Sequence, residues 1–299
     1  MLISVPATSA NLGPGFDCLG LSLDFRNYFS MTPAQEESIR ILGEGEHYNK
    51  LKADNIFVRI FNESLQGLGG ERGKFAFEFR NKIPISRGLG SSSAVISAAI
   101  GMAHLHHYGK IDKSEILNLA LQYEHHPDNI TPAIFGGFNA AVVESSKAEG
   151  NKVVHLSQPI PDDIRAVVLI PNRSISTKYS RQTLPKKYSN TDGIYNLSRS
   201  SLLCMAFMQH KWELLRIASK DRFHQYRRMK QYPVLFSVQK FALENGALMS
   251  TLSGSGSSFL SVCFREDSRK LTEAMKARFP HFVVLDLAFD NEGLRIEKD

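Results

Sequence analysis

The stretch Pro84-Ile85-Ser86-Arg87-Gly88-Leu89-Gly90-Ser91-Ser92-Ser93-Ala94 has the residue types of an anion site. Gly88 and Gly90 let the backbone turn tightly and approach a ligand. A helix-like run at 95–106 follows directly. The free N–H groups of its first turn, and its dipole, favour negative charge at the loop. The hydroxyls of Ser91, Ser92 and Ser93 suit phosphate oxygens or a metal. This is not a Walker A loop, because Ser91 stands where G-x-x-x-x-G-K-[ST] demands Lys. A phosphate here is held by backbone, dipole and metal. A capped Ser/Gly turn looks the same in isolation, but two further loops share its character.

The first of these, residues 6–17, reads Pro6-Ala7-Thr8-Ser9-Ala10-Asn11-Leu12-Gly13-Pro14-Gly15-Phe16-Asp17. Asn11 and Asp17 are its side chains best suited to hold something polar, or else to close Asx-turns. The other, Ser253-Gly254-Ser255-Gly256-Ser257-Ser258, joins two expected strands. Polar groups also gather in Glu124-His125-His126-Pro127-Asp128-Asn129. H-E-x-x-H spacing is absent there and no Cys is near, so a hard cation shared between Glu124 and phosphate oxygens is the more economical reading. His125 reads as a surface histidine. Thr177, Lys178 and Arg181 fall in one loop. Arg222, Arg227, Arg228 and Lys230 fall in another stretch, where any single Arg more often belongs to a solvated basic face. Guanidinium forks near Arg181 and Arg228 suit a carboxylate or phosphate. One phosphate-bearing ligand and one small polar substrate account for all three loops, which describes a small-molecule kinase.

These groups need elements to place them. Alternation predicts strands at 2–5, 19–29, 38–41 and 74–80, the last leading into the anion loop. Asn55 caps a helix over 56–66, and Asp112 to Glu115 forms a capping-box pattern opening another. The stretch 124–132, broken by two prolines, reads as a loop. Strands at 136–143, 165–171, 247–252, 259–264 and 282–289 are expected, with helices near 193–208, 211–219, 234–245 and 267–279. A polar link at 145–152 divides the chain into two parts, 1–150 and 151–299.

Composition fits a globular protein of 299 residues, 42% hydrophobic and 22% charged, long enough for two domains. Cys18, Cys204 and Cys263 lie far apart with no C-x-x-C pair, so a reducing compartment fits best. The first residues lack the basic and apolar regions of a secretory signal, and no apolar run reaches membrane-spanning length, so a cytoplasmic setting without membrane contact is expected. The formal charge of +6 matches a positive field around a cleft for anionic small molecules. No nucleic-acid module accompanies it, and no nucleic-acid partner is expected.

The motifs at 6–17, 84–94 and 252–258, in that order, resemble those of the GHMP kinases, the family of galactokinase, mevalonate kinase, phosphomevalonate kinase and homoserine kinase. The likeness covers nearly the whole chain. It is strongest to the homoserine kinase branch, through residues 6–17, His126-Pro127-Asp128-Asn129-Ile130-Thr131-Pro132-Ala133 and Ser176-Thr177-Lys178-Tyr179-Ser180-Arg181. The resemblance implies an α+β, two-domain fold, with an N-terminal part like a ribosomal S5 second domain and a ferredoxin-like C-terminal part. It implies ATP and Mg2+ as cofactors, L-homoserine as substrate in threonine biosynthesis, and a homodimer. It places ATP on the loop Pro84 to Ser93 and on Asn55, and Mg2+ on Ser92 and Glu124. Substrate falls to Asn11, Asp17, His126, Asp128, Thr177, Arg181 and Arg228, with both arginines on its carboxylate and Asp17 on its ammonium. The segment Gln225-Tyr226-Arg227-Arg228 departs from the usual Q-P-Y-R, so Arg227 competes with Arg228. Asn129, Glu124 and Arg181 are the expected catalytic residues. Where several GHMP kinases carry an Asp base, this chain has Asn129, which cannot take a proton; Asn129 then orients the hydroxyl, the proton leaves late to phosphate, and Asp128 is the rival base. The alternatives are another small-alcohol kinase of the family, or a catalytically silent member that binds nucleotide to regulate a partner.

Overall fold

The computed structural model describes residues 1–146, 150–175 and 177–298. Strands β1 (Leu2–Ala10) and β2 (Leu19–Pro33) pair antiparallel, and β3 (Ser38–Gly43) follows. A short helix α1 (Asn49–Ala53) precedes α2 (Ile56–Gly67), which leads to β4 (Phe75–Asn81), parallel to β3 and antiparallel to β2. Alternation puts Phe75, Phe77 and Phe79 on one face of β4. The Phe57 and Phe61 rings of α2 pack on that face, Phe57 4.7 Å from Phe79 and Phe61 5.5 Å from Phe75. Burying one such ring stabilises the fold by roughly 1.5–3 kcal/mol. Helices α3 (Ser91–Tyr108), α4 (Lys113–Ala120) and α5 (Pro127–Phe135) come next, then the hairpin β5 (Phe138–Ser146) and β6 (Gly150–Gln158).

The second half opens with β7 (Ile164–Ile170), α6 (Thr177–Gln182) and α7 (Asn190–Met208). A helical turn, Trp212–Leu214, precedes α8 (Leu215–Ala218), α9 (Gln225–Met229) and α10 (Val234–Glu244). Strands β8 (Met249–Leu252) and β9 (Phe259–Phe264), helix α11 (Ser268–Arg278) and strands β10 (Val283–Leu287) and β11 (Arg295–Ile296) complete it. The second sheet has the order β10-β7-β9-β8. Strand β7 is buried on both faces, as its unbroken apolar run predicts. Val167 and Leu169 meet Leu235 and Val238 of α10 and Leu271 of α11, while Ala166, Val168 and Ile170 join the core of the first sheet.

Four expectations are corrected. Residues 177–182, expected within a loop, form α6. Strand β1 does not stop before Pro6; it runs through it, and the register shift between Pro6 and Ala7 absorbs the donor that proline lacks. Helix α3 begins at Ser91, four residues earlier than its apolar run indicates, so the serines form its first turn. Residues 127–135 are a helix, not a loop. Pro127 occupies the first helical position, where its missing N–H has no helical acceptor to lose. Pro132 removes the bond to the Asp128 carbonyl. There β2 approaches so closely that a Cβ on Gly20 would lie 1.9 Å from that carbonyl oxygen.

The first sheet is not confined to residues 1–150. β6 pairs with β5, and β11 returns to pair with β1. Among the described residues no helix is long and apolar enough to cross a membrane.

Candidate active site

A cavity of about 300 Å3 is lined by the 84–93 loop, by Glu124, His126, Asp128 and Asn129, by Asn11 and Asp17, and by Arg181 and Arg228. Five separate stretches of chain thus meet at one place. Gly90 stands at the N-cap of α3 in the left-handed region, φ 69°, and has no side chain with which to cap the helix. The N–H groups of its first turn therefore lack helical acceptors beside the cavity. Gly88, φ +79°, answers to the protein as well as to any ligand: a Cβ there would lie 2.2 Å from the Ser253 carbonyl oxygen. Ser253 Oγ donates to the Gly88 carbonyl at 2.6 Å, and the Ser258 N–H to the Arg87 carbonyl at 3.0 Å. The two Gly/Ser loops brace each other.

Two residues expected on the nucleotide have other partners. The Arg87 guanidinium donates to the carbonyls of Pro171 (3.0 Å) and Asn172 (3.2 Å), so it ties the anion loop to the end of β7. Asn55 Oδ1 accepts the N–H groups of Phe57 and Val58, and its Nδ2 donates to Leu51, which makes it the cap of α2 on the cavity wall. Asn11 is likewise committed. Its Oδ1 accepts the Asp17 N–H at 3.0 Å and its Nδ2 donates to the Gly254 carbonyl at 3.0 Å. Asn11, Leu12 and Asp17 all have positive φ, and the amide of Asn11 holds that bend.

Asp17 and Arg181 form a two-pronged ion pair, Oδ1 to Nη2 at 2.6 Å and Oδ2 to Nη1 at 3.0 Å. His126 Nδ1 lies 3.6 Å from Asp17. Arg228 is 4% exposed, whereas Arg227 points to solvent, which leaves Arg228 as the guanidinium on the cavity. Arg228 Nη1 donates to the Gly254 carbonyl at 2.9 Å and to His224 Nδ1 at 3.1 Å. Among the described residues Arg228 has no ion-pair partner, and its Nε is buried without an acceptor. Both guanidinium carbons sit 5.4 Å from the Phe16 ring centre. Asn129 Oδ1 accepts from Thr8 Oγ1 at 2.8 Å.

The charges are strained. Burial raises the Asp128 pKa to about 7, and the neighbouring Asp17 and Glu124 add to the shift. Burial, with Asp17, also holds Glu124 above the usual carboxylate range. Burial lowers Arg228 to about 10, and Arg181 repels it further. Burial works against the Arg181 charge as well, but the Asp17 bond with the nearby Asp128 and Glu124 outweighs it and raises its pKa. His125 is exposed, as expected. Ser176 lies outside the described residues, and so does the Thr177 side chain, although Thr177 opens α6.

Residues 55–137 match the GHMP kinases N terminal domain, and residues 205–281 match the GHMP kinases C terminal family. The chain is 58% identical to the homoserine kinase of Helicobacter hepaticus over 293 residues, 98% of each chain. It is 58% identical to the homoserine kinase of Wolinella succinogenes over 294 residues, 98% of this chain and 99% of that one. The chain belongs to the GHMP kinases. Within that family it stands with the homoserine kinases. The crystal structure of homoserine kinase from Cytophaga hutchinsonii superposes with a TM-score of 0.85 at 26% identity, covering 99% of this chain and 96% of that one. The two sheets described above are therefore the two-domain GHMP kinase fold.

Residue-by-residue reading of the sequence did not single out Thr8, Phe16 or His224. Thr8 and Phe16 sit inside a recognised motif, but their polar and aromatic contacts run to residues more than a hundred positions away. His224 carried no spacing signal at all.

Proposed function

We propose that this GHMP kinase transfers the γ-phosphoryl group of ATP to the side-chain hydroxyl of L-homoserine. The observation that carries the substrate half is Arg228, a buried guanidinium with no carboxylate paired to it among the described residues, on the cavity beside the Asp17–Arg181 pair. A zwitterionic amino acid replaces both halves of that pair at once: its ammonium takes Asp17, and its carboxylate takes Arg181 and Arg228. The phosphates lie on the open N-terminus of α3 and the Gly88–Ser93 backbone. The Ser92 hydroxyl and the Glu124 carboxylate are hard oxygen donors and would hold Mg2+. Among the described residues no cluster of three or more His, Cys, Asp or Glu holds a metal by itself, so phosphate and water complete such a set. A neighbouring cation also offsets the burial that raises Glu124. When bound, Mg2+ neutralises charge developing between the phosphates.

Asn129 orients the acceptor hydroxyl. Its carbonyl oxygen is engaged by Thr8, which leaves the amide nitrogen as a donor, and neither group is basic. The hydroxyl proton therefore leaves late, to the transferred phosphoryl group, in keeping with a loose transition state governed by positioning and electrostatics. The test is ADP formation with Mg2+ and L-homoserine, L-threonine, mevalonate or galactose in turn, and with 4-hydroxybutyrate and 3-amino-1-propanol, which each lack one charge of the zwitterion. Turnover is expected with L-homoserine, with both one-charge analogues at least about a hundredfold poorer in kcat/KM. Preference for mevalonate or galactose would overturn the pocket assignment.

A further inference from the structure

We propose that His224 is a positioning residue that presents the Arg228 guanidinium to the substrate carboxylate, an inference that rests on the homoserine reading. His224 is fully buried. Its Nε2 lies 2.8 Å from the Gly13 carbonyl oxygen, and its Nδ1 lies 3.1 Å from Arg228 Nη1. A carbonyl only accepts and a guanidinium only donates, so both partners dictate the same tautomer: the proton sits on Nε2, and Nδ1 accepts. Protonation of Nδ1 would set donor against donor. Burial agrees, driving the imidazole pKa down to about 4 even though the Asp221 carboxylate is near.

The consequence falls on Arg228. Its Nη1 carries two hydrogens; one goes to His224 and the other to the Gly254 carbonyl. With Nη1 saturated, the edge formed by Nε and Nη2 is what remains for a carboxylate, and Nε is buried without an acceptor among the described residues. His224 is itself well anchored. Asp221 accepts the N–H groups of Phe223, His224 and Gln225, at 2.9, 2.9 and 2.7 Å, and Asn196 donates to Asp221 at 2.7 Å. The Gly254 carbonyl also receives Asn11 Nδ2. One imidazole and one carbonyl thus join α9, the 11–18 loop and the 253–258 loop around the same guanidinium.

Two substitutions separate the two bonds. In His224→Asn the amide oxygen occupies the place of Nδ1 and keeps the bond from Arg228; in His224→Gln the amide nitrogen occupies the place of Nε2 and keeps only the bond to Gly13. Steady-state kinetics of the full-length enzyme are expected to show KM for L-homoserine raised about tenfold or more in His224→Gln and within about threefold of wild type in His224→Asn, with KM for ATP within about twofold in both. In an Arg228→Gln background the further effect of His224→Gln is expected to shrink below about twofold. Equal KM changes in both variants that follow their loss of Tm, or full additivity with Arg228→Gln, would overturn the inference in favour of a purely structural histidine. Wild-type enzyme is assayed first. Failure to phosphorylate L-homoserine there overturns the substrate reading, which is a result distinct from a wrong pattern among the variants.

Discussion

Asp17, Glu124 and Asp128 set three carboxylates against the two guanidiniums of Arg181 and Arg228 at one cavity. The imbalance shows in Asp128, whose pKa of about 7 lies far above the ordinary carboxylate value. Because the folded-state pKa is raised, the folded protein holds this proton more tightly than the unfolded chain. Stability from this group is therefore greatest in acid and is lost as the pH climbs from the ordinary carboxylate range through about 7. Asp128→Asn removes the charge, so its gain in Tm is expected to be several degrees larger at pH 8 than at pH 5 by scanning fluorimetry; an equal or larger gain at pH 5 would contradict the assignment. The same variant addresses the rival base. On the proposed roles, in which Asn129 orients the hydroxyl and phosphate takes the proton, Asp128→Asn is expected to keep kcat within about tenfold of wild type, since loss of a true general base costs about a hundredfold or more. Which of two adjacent arginines faces the cavity was not legible at this scale. The five-residue helix α9 turns Arg228 inward and Arg227 outward, and residue type says nothing about that rotation.

At the scale of elements, α5 carries Asp128 and Asn129, and its height above the first sheet is set by Gly20 of β2. A Cβ at position 20 would strike the Asp128 backbone oxygen and approach the Pro132 ring to 3.0 Å. Backbone cannot yield as a flexible side chain does. Gly20→Ala is thus expected to lower stability by roughly 1–3 kcal/mol in urea titration and to reduce kcat, because the helix that positions Asn129 must move. A variant with wild-type stability and turnover would show that β2 and α5 have slack between them. The helix itself was hidden in the sequence because two prolines in six residues usually mark a loop. Its first proline costs nothing where it stands, and Ser22 Oγ donates to the carbonyl of the second at 2.5 Å. Helix α3, in contrast, was legible in kind but not in its start, since Ser91, Ser92 and Ser93 are polar and break the apolar pattern.

For the molecule as a whole, the C-terminal stretch closes the fold. Arg26 of β2 pairs with Asp290, both nearly inaccessible, and Arg26 Nη2 donates to the Gly293 carbonyl at 2.5 Å. Asp290 Oδ1 accepts the N–H groups of Glu292 and Gly293, at 3.1 and 2.6 Å. This ties the tail to the first sheet, where β11 joins β1. Asp290→Ala leaves a buried guanidinium unpaired and is expected to cost about 3–5 kcal/mol of unfolding free energy. Asp162→Ala breaks the 2.9 Å pair with Arg265 at the surface and is expected to change stability by less than about 1 kcal/mol. Similar losses for the two variants would mean that the tail is not held by its ion pair. A polar link near residue 150 pointed to two halves, and two sheets are present. That the tail of the second half completes the first sheet was not visible, because a two-residue strand has no periodicity to detect.

The sequence by itself determined the chemistry of the loops, the order of the three motifs, the family and the buried strands and amphipathic helices. Each of these is a local pattern: a glycine spacing, an alternation of period two, or a cap followed by an apolar stripe. Only the tertiary structure decided that Arg87, Asn55 and Asn11 spend their polar atoms on the protein, that Arg228 has no ion-pair partner among the described residues while Arg181 holds Asp17, and that His224 meets both Gly13 and Arg228. The physical reason is that hydrogen-bond capacity is a property of residue type, but the partner that uses it is set by which distant backbone carbonyls and carboxylates the packed sheets bring within about 3 Å.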